Sequence, residues 1–298
     1  MSIRGQIDLS KLSKPDIIKL PTSEEIYQRL LTQLQTTLPE FDATVESDPA
    51  VKILQAAAFC CERMLHDVNS AGHQVMLAFA AKENLDHLGA LVGVKRFLVS
   101  KGDDSKIPPT PDVYESDETF RARIQKAPES FTNAGSHGSY VFHALSSHHD
   151  VDDVAVYSES PGVVNVVVLS KQDNGNASQD LLETVNNRLS ADEVRPLTDF
   201  VKVGGAEILE FDVSIKAYVK QGPDALVVVN EAKQKLEEYL NSHFKLGETI
   251  ALSRIYGAFA SDNIERVEVT PNPVFDTKIK PNQAARCANI SVKTEVVG

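Results

Sequence analysis

The chain has 298 residues, 42 acidic against 30 basic side chains and 42% hydrophobic content, which is the composition of an ordinary globular protein. Its formal charge of −12 gives no general attraction for phosphate backbones or anionic lipid, so nucleic-acid and membrane-surface roles are disfavoured. The start of the chain has no signal-peptide pattern, and no apolar stretch approaches the roughly 20 residues of a membrane span, so we expect a chain that begins near Met1 in a cytosol.

Two helices are predicted near the start. The first covers about 23–38, because Thr22-Ser-Glu-Glu25 fits a capping box and leucines follow at three-to-four-residue spacing. The second begins at Asp48-Pro49, which supplies an N-cap and a proline at the first helical position. Its apolar residues keep helical phase as far as Phe79, with an interruption at Gly72. The sequence therefore predicts one long, strongly amphipathic helix after a shorter one.

The apolar stripe on the second helix has two interpretations. It could complete a core inside this chain, or it could be shared with helices of another subunit. Composition and spacing leave both open. If the stripe is shared, the predicted interface residues are Leu54, Ala58, Cys61, Leu65, Val68 and Phe79.

A helical N-terminal module is predicted to end near residue 100. A short helix over 85–91 ends at Gly93, which suits a left-handed C-terminal cap. The stretch from 101 to 111 then carries a charge cluster and three prolines in four positions, which prevents regular structure. We therefore divide the chain into a helical module at 1–100 and a linker at 101–115, followed by the rest.

The rest of the chain predicts two small α/β sandwich modules, at 116–204 and 205–298, so the predicted class is α+β. The first module opens with a helix at Ser116-Asp117-Glu118 and contains a hairpin through the turn Pro161-Gly162. The second opens with perfect alternation from Phe211 to Val219, the pattern of a strand with one face in water.

An internal similarity relates these two modules. The string SYVFHALS at 139–146, followed by VDDVAV at 151–156, resembles SRIYGAFA at 253–260, followed by IERVEV at 264–269. The pattern is the same in both copies, a helix that leads into a strand. This predicts two related modules in tandem.

One cluster raises the possibility of metal chemistry. His148, His149 and Asp152 offer imidazole and carboxylate groups that suit a divalent transition ion, and the alternative function is a divalent-metal-dependent hydrolase. Adjacent histidines on a helix-to-strand connection rarely converge on one ion. The sequence also lacks phosphate-binding glycine motifs and a nucleophile elbow. We therefore expect no enzyme activity, no catalytic residue, no metal and no cofactor.

Five segments in order resemble the baseplate J family of contractile-tailed phages and related contractile injection systems. They are Asp48-Pro49 with the long helix, VMLAFAAKENLDHLGALVGVKRF at 75–97, ESDETFRARIQ at 115–125, GSYVFHALSS at 138–147 and RPLTD at 195–199. Each motif is weak by itself. Their shared order over positions 48–200 makes the resemblance specific.

The resemblance implies a non-enzymatic wedge protein of a tail baseplate. It implies association with a second copy of the chain and a smaller wedge protein, with the N-terminal helices in a shared bundle. It also implies that the α/β modules join neighbouring wedges around a central hub, in a particle assembled in the bacterial cytoplasm. Under this resemblance the shared interpretation of the apolar stripe is favoured, and nucleic acid and membrane are not expected partners.

Overall fold

The computed structural model describes residues 7–41, 48–131, 135–221, 224–270 and 278–297. They form a helical unit, made of 7–96 and 116–124, and an α/β unit, made of 97–115 and the residues from 125 onward. The helices are α1 (Ser23–Thr37), α2 (Pro49–His73), α3 (Lys82–Leu91), α4 (Asp117–Lys126), α5 (His137–Leu145), α6 (Gln179–Ser190), α7 (Ala225–Ser242) and α8 (Leu252–Ala258). The strands are β1 (Leu98–Ser100), β2 (Val113–Tyr114), β3 (Val151–Tyr157), β4 (Val163–Ser170), β5 (Phe200–Gly205), β6 (Glu207–Lys220), β7 (Ile264–Val269) and β8 (Gln283–Val297). The predicted α+β class is confirmed.

In the helical unit, α2 ends at His73 and not near Phe79 as the apolar phase predicted. The chain preceding α1 packs against this end of the helix. The Asn69 side chain accepts a bond from the Ile18 amide (2.8 Å) and donates one to the Ile18 carbonyl (3.1 Å). Gly72 lies so close to Ile17 that an added Cβ would sit 2.7 Å from its side chain. The residues after His73 turn instead of continuing the helix.

Helix α4 belongs to the helical unit as far as Ile124, whereas the predicted division placed residue 116 onward in the first α/β module. The side chains of Phe120 and Ile124 are buried, and Phe120 packs against Gly89, where an added Cβ would lie 2.6 Å from its ring. Arg121 donates to the Leu77 and Ala80 carbonyls, at 2.8 and 2.5 Å. These contacts attach α4 to the segments around α3.

In the α/β unit, α5, β3, β4, α6 and β5 form the first module. Its sheet has the order β3-β4-β5, in which β3 runs antiparallel and β5 parallel to the central β4. Helices α5 and α6 cover one face of the sheet. Its core includes Tyr140, Ala144, Val166, Val168, Leu181, Val185 and Leu189.

The second module has the order β7-β6-β8, again with an antiparallel strand on one side of the centre and a parallel strand on the other. The predicted alternation along β6 is confirmed, since Val213, Ile215 and Ala217 are buried against α7 and α8. Tyr218 was predicted to lie on the wet face, yet it is only 8% exposed. The reason is that Lys216 and Arg266 lie over its ring, 4.7 and 4.2 Å from the centroid.

The internal repeat appears in the structure as α5 with β3 and α8 with β7. In each case a short helix leads into the strand that pairs antiparallel with the central strand of its module. The chain order differs, because the central strand follows this unit in the first module and precedes it in the second. The two modules therefore have the same arrangement of strands in the sheet, but their elements follow one another in a different order along the chain.

The two modules are joined closely. Ala206 is the residue that separates β5 from β6. Beside this junction a small shared cluster contains Val167 and Leu169 of the first module together with Leu246 and Ala284 of the second. The Leu246 amide also donates to the Asp153 carboxylate at 3.0 Å.

The predicted linker region forms an exposed loop in the α/β unit. Its ends are held by paired backbone bonds between Asp103 and Thr110 (3.0 and 3.1 Å), and Ile107 at its tip is fully exposed. Limited proteolysis of the full chain is expected to cut first between 101 and 111, because exposed loop tips are the usual sites of nicking. Mass spectrometry of early fragments checks this. First cleavage inside 51–80 or 205–240 would contradict the proposed division.

Candidate protein–protein interface

Helices α1 and α2 pack against each other and carry the apolar surface of interest. The Thr22 hydroxyl accepts a bond from the Glu25 amide (3.2 Å), and the Glu25 carboxylate accepts one from the Thr22 amide (3.0 Å). Asp48 caps α2 through the Ala50 amide at 2.7 Å. Both helix starts predicted from these residues are confirmed. The apolar face of each helix begins directly after its cap.

The structure uses most of the predicted interface stripe inside the chain. Ala58 is 1% exposed and belongs to the cluster that packs α1 against α2. Leu54, Cys61 and Leu65 are half-buried against the same cluster. Val68 is 49% exposed. These residues hold the two helices together and leave only part of their surface for a partner.

Phe79, the last predicted interface residue, lies beyond the end of α2. Its ring packs edge-on against His73, with centroids 5.7 Å apart, and Lys14 lies over it at 5.8 Å. The side chain is half-buried. Phe79 therefore takes part in packing inside the helical unit.

A second apolar face of α2 points to solvent, and we call it the outer stripe. Its largest members are well exposed, with Ile53 at 68%, Met64 at 66% and Val68 at 49%. It lies about 100° around the helix from the buried face, at 100° per residue. Its spacing of three and four residues is that of a helix seam that packs against another helix. The outer stripe consists of Ile53, Ala57, Cys60, Met64, Val68 and Ala71.

An open groove lies beside the outer stripe, between α1 and α2. Its volume is about 380 Å³, and Met64 belongs both to the groove and to the outer stripe. The remaining lining residues are Pro21, Ile26, Arg29, Leu30, Cys61 and Leu65. Stripe and groove together form one continuous, mainly apolar surface of a size that another helix or an apolar side chain can cover.

The histidine cluster lies on the connection between α5 and β3. Within the described ranges, His148, His149 and Asp150 form the group whose ligand atoms approach closely enough for a shared ion, all within 4.8 Å of one another. Asp152, predicted as a third ligand, lies exposed on β3 and is not part of this group.

These side chains already bond with one another. His148 Nδ1 accepts from the Asp150 amide at 3.2 Å, and His149 Nδ1 lies 3.1 Å from Asp150 Oδ1, which also accepts from Gln172. Burial, together with the neighbouring His149, lowers the pKa of His148 below its usual value. A neutral His148 side chain that accepts a hydrogen bond from the Asp150 amide and so stabilises the turn between α5 and β3 accounts for these contacts.

Replacing His148 and His149 together by Ala is expected to lower the melting temperature by only about 2–4 °C, because roughly 1 kcal/mol of hydrogen bonding is lost. EDTA is expected to change nothing. Elemental analysis of the purified chain, with thermal unfolding, tests this. A stoichiometric ion that disappears in the double variant would instead favour a metal site.

Comparisons with known proteins give a consistent result. Residues 46–103 match the family model of the baseplate J-like N-terminal domain, and residues 132–205 match that of the baseplate J-like central domain. The chain is 38% identical over 295 residues to "Baseplate protein J" of Escherichia phage P2, covering 97% of both chains.

A solved structure of the anti-feeding prophage baseplate, obtained by cryo-EM, contains a chain with a partly similar fold. The likeness has a TM-score of 0.41 at 12% identity, and covers 60% of this chain and 44% of that one. In the described part of the chain, no helix is long and apolar enough to span a bilayer.

Proposed function

This chain belongs to the baseplate J family, and on that premise we propose that it is a structural wedge protein in the baseplate of a contractile tail or injection machine. The observation that carries the proposal is the 38% identity to the P2 protein over nearly the full length of both chains. Identity at this level over nearly the whole of both chains supports a shared fold and a shared structural role. The proposed place of action is the virion tail baseplate, with assembly in the bacterial cytoplasm.

The proposed partners are a second copy of this chain and a smaller wedge protein. The geometry of α2 supports this, because burying Ile53, Met64 and Val68 against a partner helix would gain about 1.5–3 kcal/mol for each side chain fully covered. The groove beside Met64 supports it further, since it offers a recess for an apolar side chain. Of the predicted interface residues, Val68 and the open edges of Cys61 and Leu65 take part in this proposed contact.

The α/β unit is proposed to contact neighbouring wedges and the central hub. Its two modules have separate cores and a small shared cluster, so they can hold their shape while contacts between subunits change. A contractile machine needs this property, because wedges must rearrange without unfolding. We propose a purely structural role, without catalysis.

The test is co-expression of the tagged full chain with the other baseplate proteins of its particle, followed by native mass measurement of what is purified. The expected result is a complex that contains two copies of this chain and one smaller protein. A chain that stays monomeric and alone while the other proteins are soluble and present would contradict the proposal. The hydrolase alternative has no support in the comparisons.

A further inference from the structure

Strand β8 forms one edge of the second module's sheet. It has 15 residues and pairs with β6 along its whole length. Among the described residues, its outer edge is covered at the beginning alone, where Leu246 bridges to Ala284 and the Gly247 amide donates to the Gln283 carbonyl at 2.8 Å. In the described ranges, no strand pairs with that edge beyond this point.

A long uncovered edge exposes a row of unpaired amides and carbonyls, which readily pair with another strand. Typical strands have about 5–6 residues. A bulge in an edge strand hinders pairing with another strand. The bulge in β8 is at Ala288, between Cys287 and Asn289, which pair with Phe211 and Asp212, and it precedes the uncovered stretch. From Asn289 to Val297 the strand is regular and contains no proline.

The uncovered stretch is complementary to itself. Val292, Thr294 and Val296 lie on one face and Lys293 and Glu295 on the other, because side chains alternate along a strand. If a second copy pairs antiparallel about Thr294, each Lys293 lies opposite a Glu295 and each Val292 opposite a Val296. Lys293 and Glu295 are the only charged residues in this stretch. Antiparallel pairing centred on any residue other than Thr294 would therefore not produce two opposite-charge pairs.

The side-chain environments agree with this arrangement. Val292 packs partly against the core beneath α7, while Val296 is 57% exposed and would gain cover from the Val292 of a second copy. Glu295 accepts from Lys216 of its own chain at 2.6 Å, and its carboxylate has a second oxygen for a Lys293 across the pair.

We propose that two copies of this chain join through antiparallel β8–β8 pairing centred on Thr294, which produces one continuous six-stranded sheet. The contact is isologous, since each copy presents the same strand to the other. It names one surface through which the second copy in the proposed wedge or ring is held. The location of this contact in a baseplate rests on the proposed function. The pairing itself does not, because it follows from the uncovered edge and the sequence of β8.

The decisive test is a charge swap in the full chain, measured by sedimentation equilibrium in the Met64→Asp background to remove the outer-stripe contact. Lys293→Glu or Glu295→Lys alone sets like charges opposite each other twice, and each is expected to weaken self-association about tenfold. An equimolar mixture of the two variants restores both opposite-charge pairs and should recover nearly the parental affinity. Self-association that is unaffected by either change, or not restored on mixing, overturns the proposal.

A cross-link gives an independent measurement when association is weak. With Cys60, Cys61 and Cys287 replaced by Ser, Thr294→Cys places two cysteines directly opposite, about 4.5–5.5 Å apart at Cβ, and a short bifunctional thiol reagent should join them in a cross-linked dimer.

The matched control is Ser291→Cys in the same background, where the two cysteines lie roughly 20 Å apart along the paired strands and should not cross-link. No dimer with Thr294→Cys, or equal dimer with both, rejects the pairing. Neither result bears on the co-expression test, so failure here leaves the wedge assignment standing.

Discussion

Met64→Asp is expected to abolish incorporation of the chain into the wedge complex while leaving its fold intact. Met64 is 66% exposed on the outer stripe and also lines the groove beside it. A carboxylate there costs little in the free chain, within about 0.5 kcal/mol, because it remains hydrated. In the complex it would be buried among apolar groups, and the expected loss of affinity is about 100-fold or more. Native mass measurement of the co-expressed proteins reports the loss.

His66→Asp is the matched control for this change. His66 is exposed on the same helix, about 160° around it from Met64 at 100° per residue, and should leave assembly unchanged. Leu65→Asp is a less specific probe, because Leu65 packs between α1 and α2 and its loss would destabilise the helical unit itself. If Met64→Asp assembles as well as the parent chain, the contact lies elsewhere.

Phe120→Ala is expected to lower the free energy of unfolding of the helical unit by about 3–5 kcal/mol. Phe120 is fully buried, and the guanidinium groups of Arg96 and Arg123 lie 4.6 and 5.6 Å from its ring centroid. Removing the ring leaves a cavity beside Gly89, which has no side chain to fill it. Urea unfolding followed by circular dichroism measures the effect.

Phe131→Ala is the corresponding control, since Phe131 is 68% exposed and its loss should have little effect. The α/β unit should stay folded in Phe120→Ala, because the core clusters described for its two modules do not include that ring. If Phe120→Ala destabilises the chain as little as Phe131→Ala does, α4 does not support the helical unit in solution.

Local signals in the sequence predicted the helix starts and one strand well. The capping box at Thr22 and the Asp48-Pro49 pair act within a few residues, so their effect does not depend on the rest of the fold. The alternation along β6 is equally local in origin. Gly93 has φ of 73°, the left-handed conformation predicted for the end of the third helix.

The sequence could not predict the packing of α4 or the bonding partner of Asn69, because both depend on which element covers which face. The apolar face of α4 fits a helical core and a sheet equally well, and only contacts such as Phe120 with Gly89 decide between them. The same holds for Asn69, whose polar side chain on the buried face of α2 could have indicated a bonded neighbour but not that this neighbour is Ile18.

The interface prediction depends on the same information about which element covers which face. The apolar residues of α2 cover more than one face, and the residues called from the sequence include those that α1 itself covers. The outer stripe at Ile53, Cys60 and Met64 had a visible signal in its three-and-four spacing, but the choice between the two faces required the position of α1. The uncovered edge of β8 had no such signal, because pairing partners are set by topology.

The single-residue junction at Ala206 determines how mechanical load would pass through the protein. A pull on β5 continues along the backbone into β6, whose whole length is bonded to β8, so many bonds must yield together before the strand slides. Bending at Ala206 would separate Leu169 from Leu246 and break the Leu246–Asp153 bond. The tandem modules are therefore expected to transmit force and torque as one stiff arm when the tail contracts.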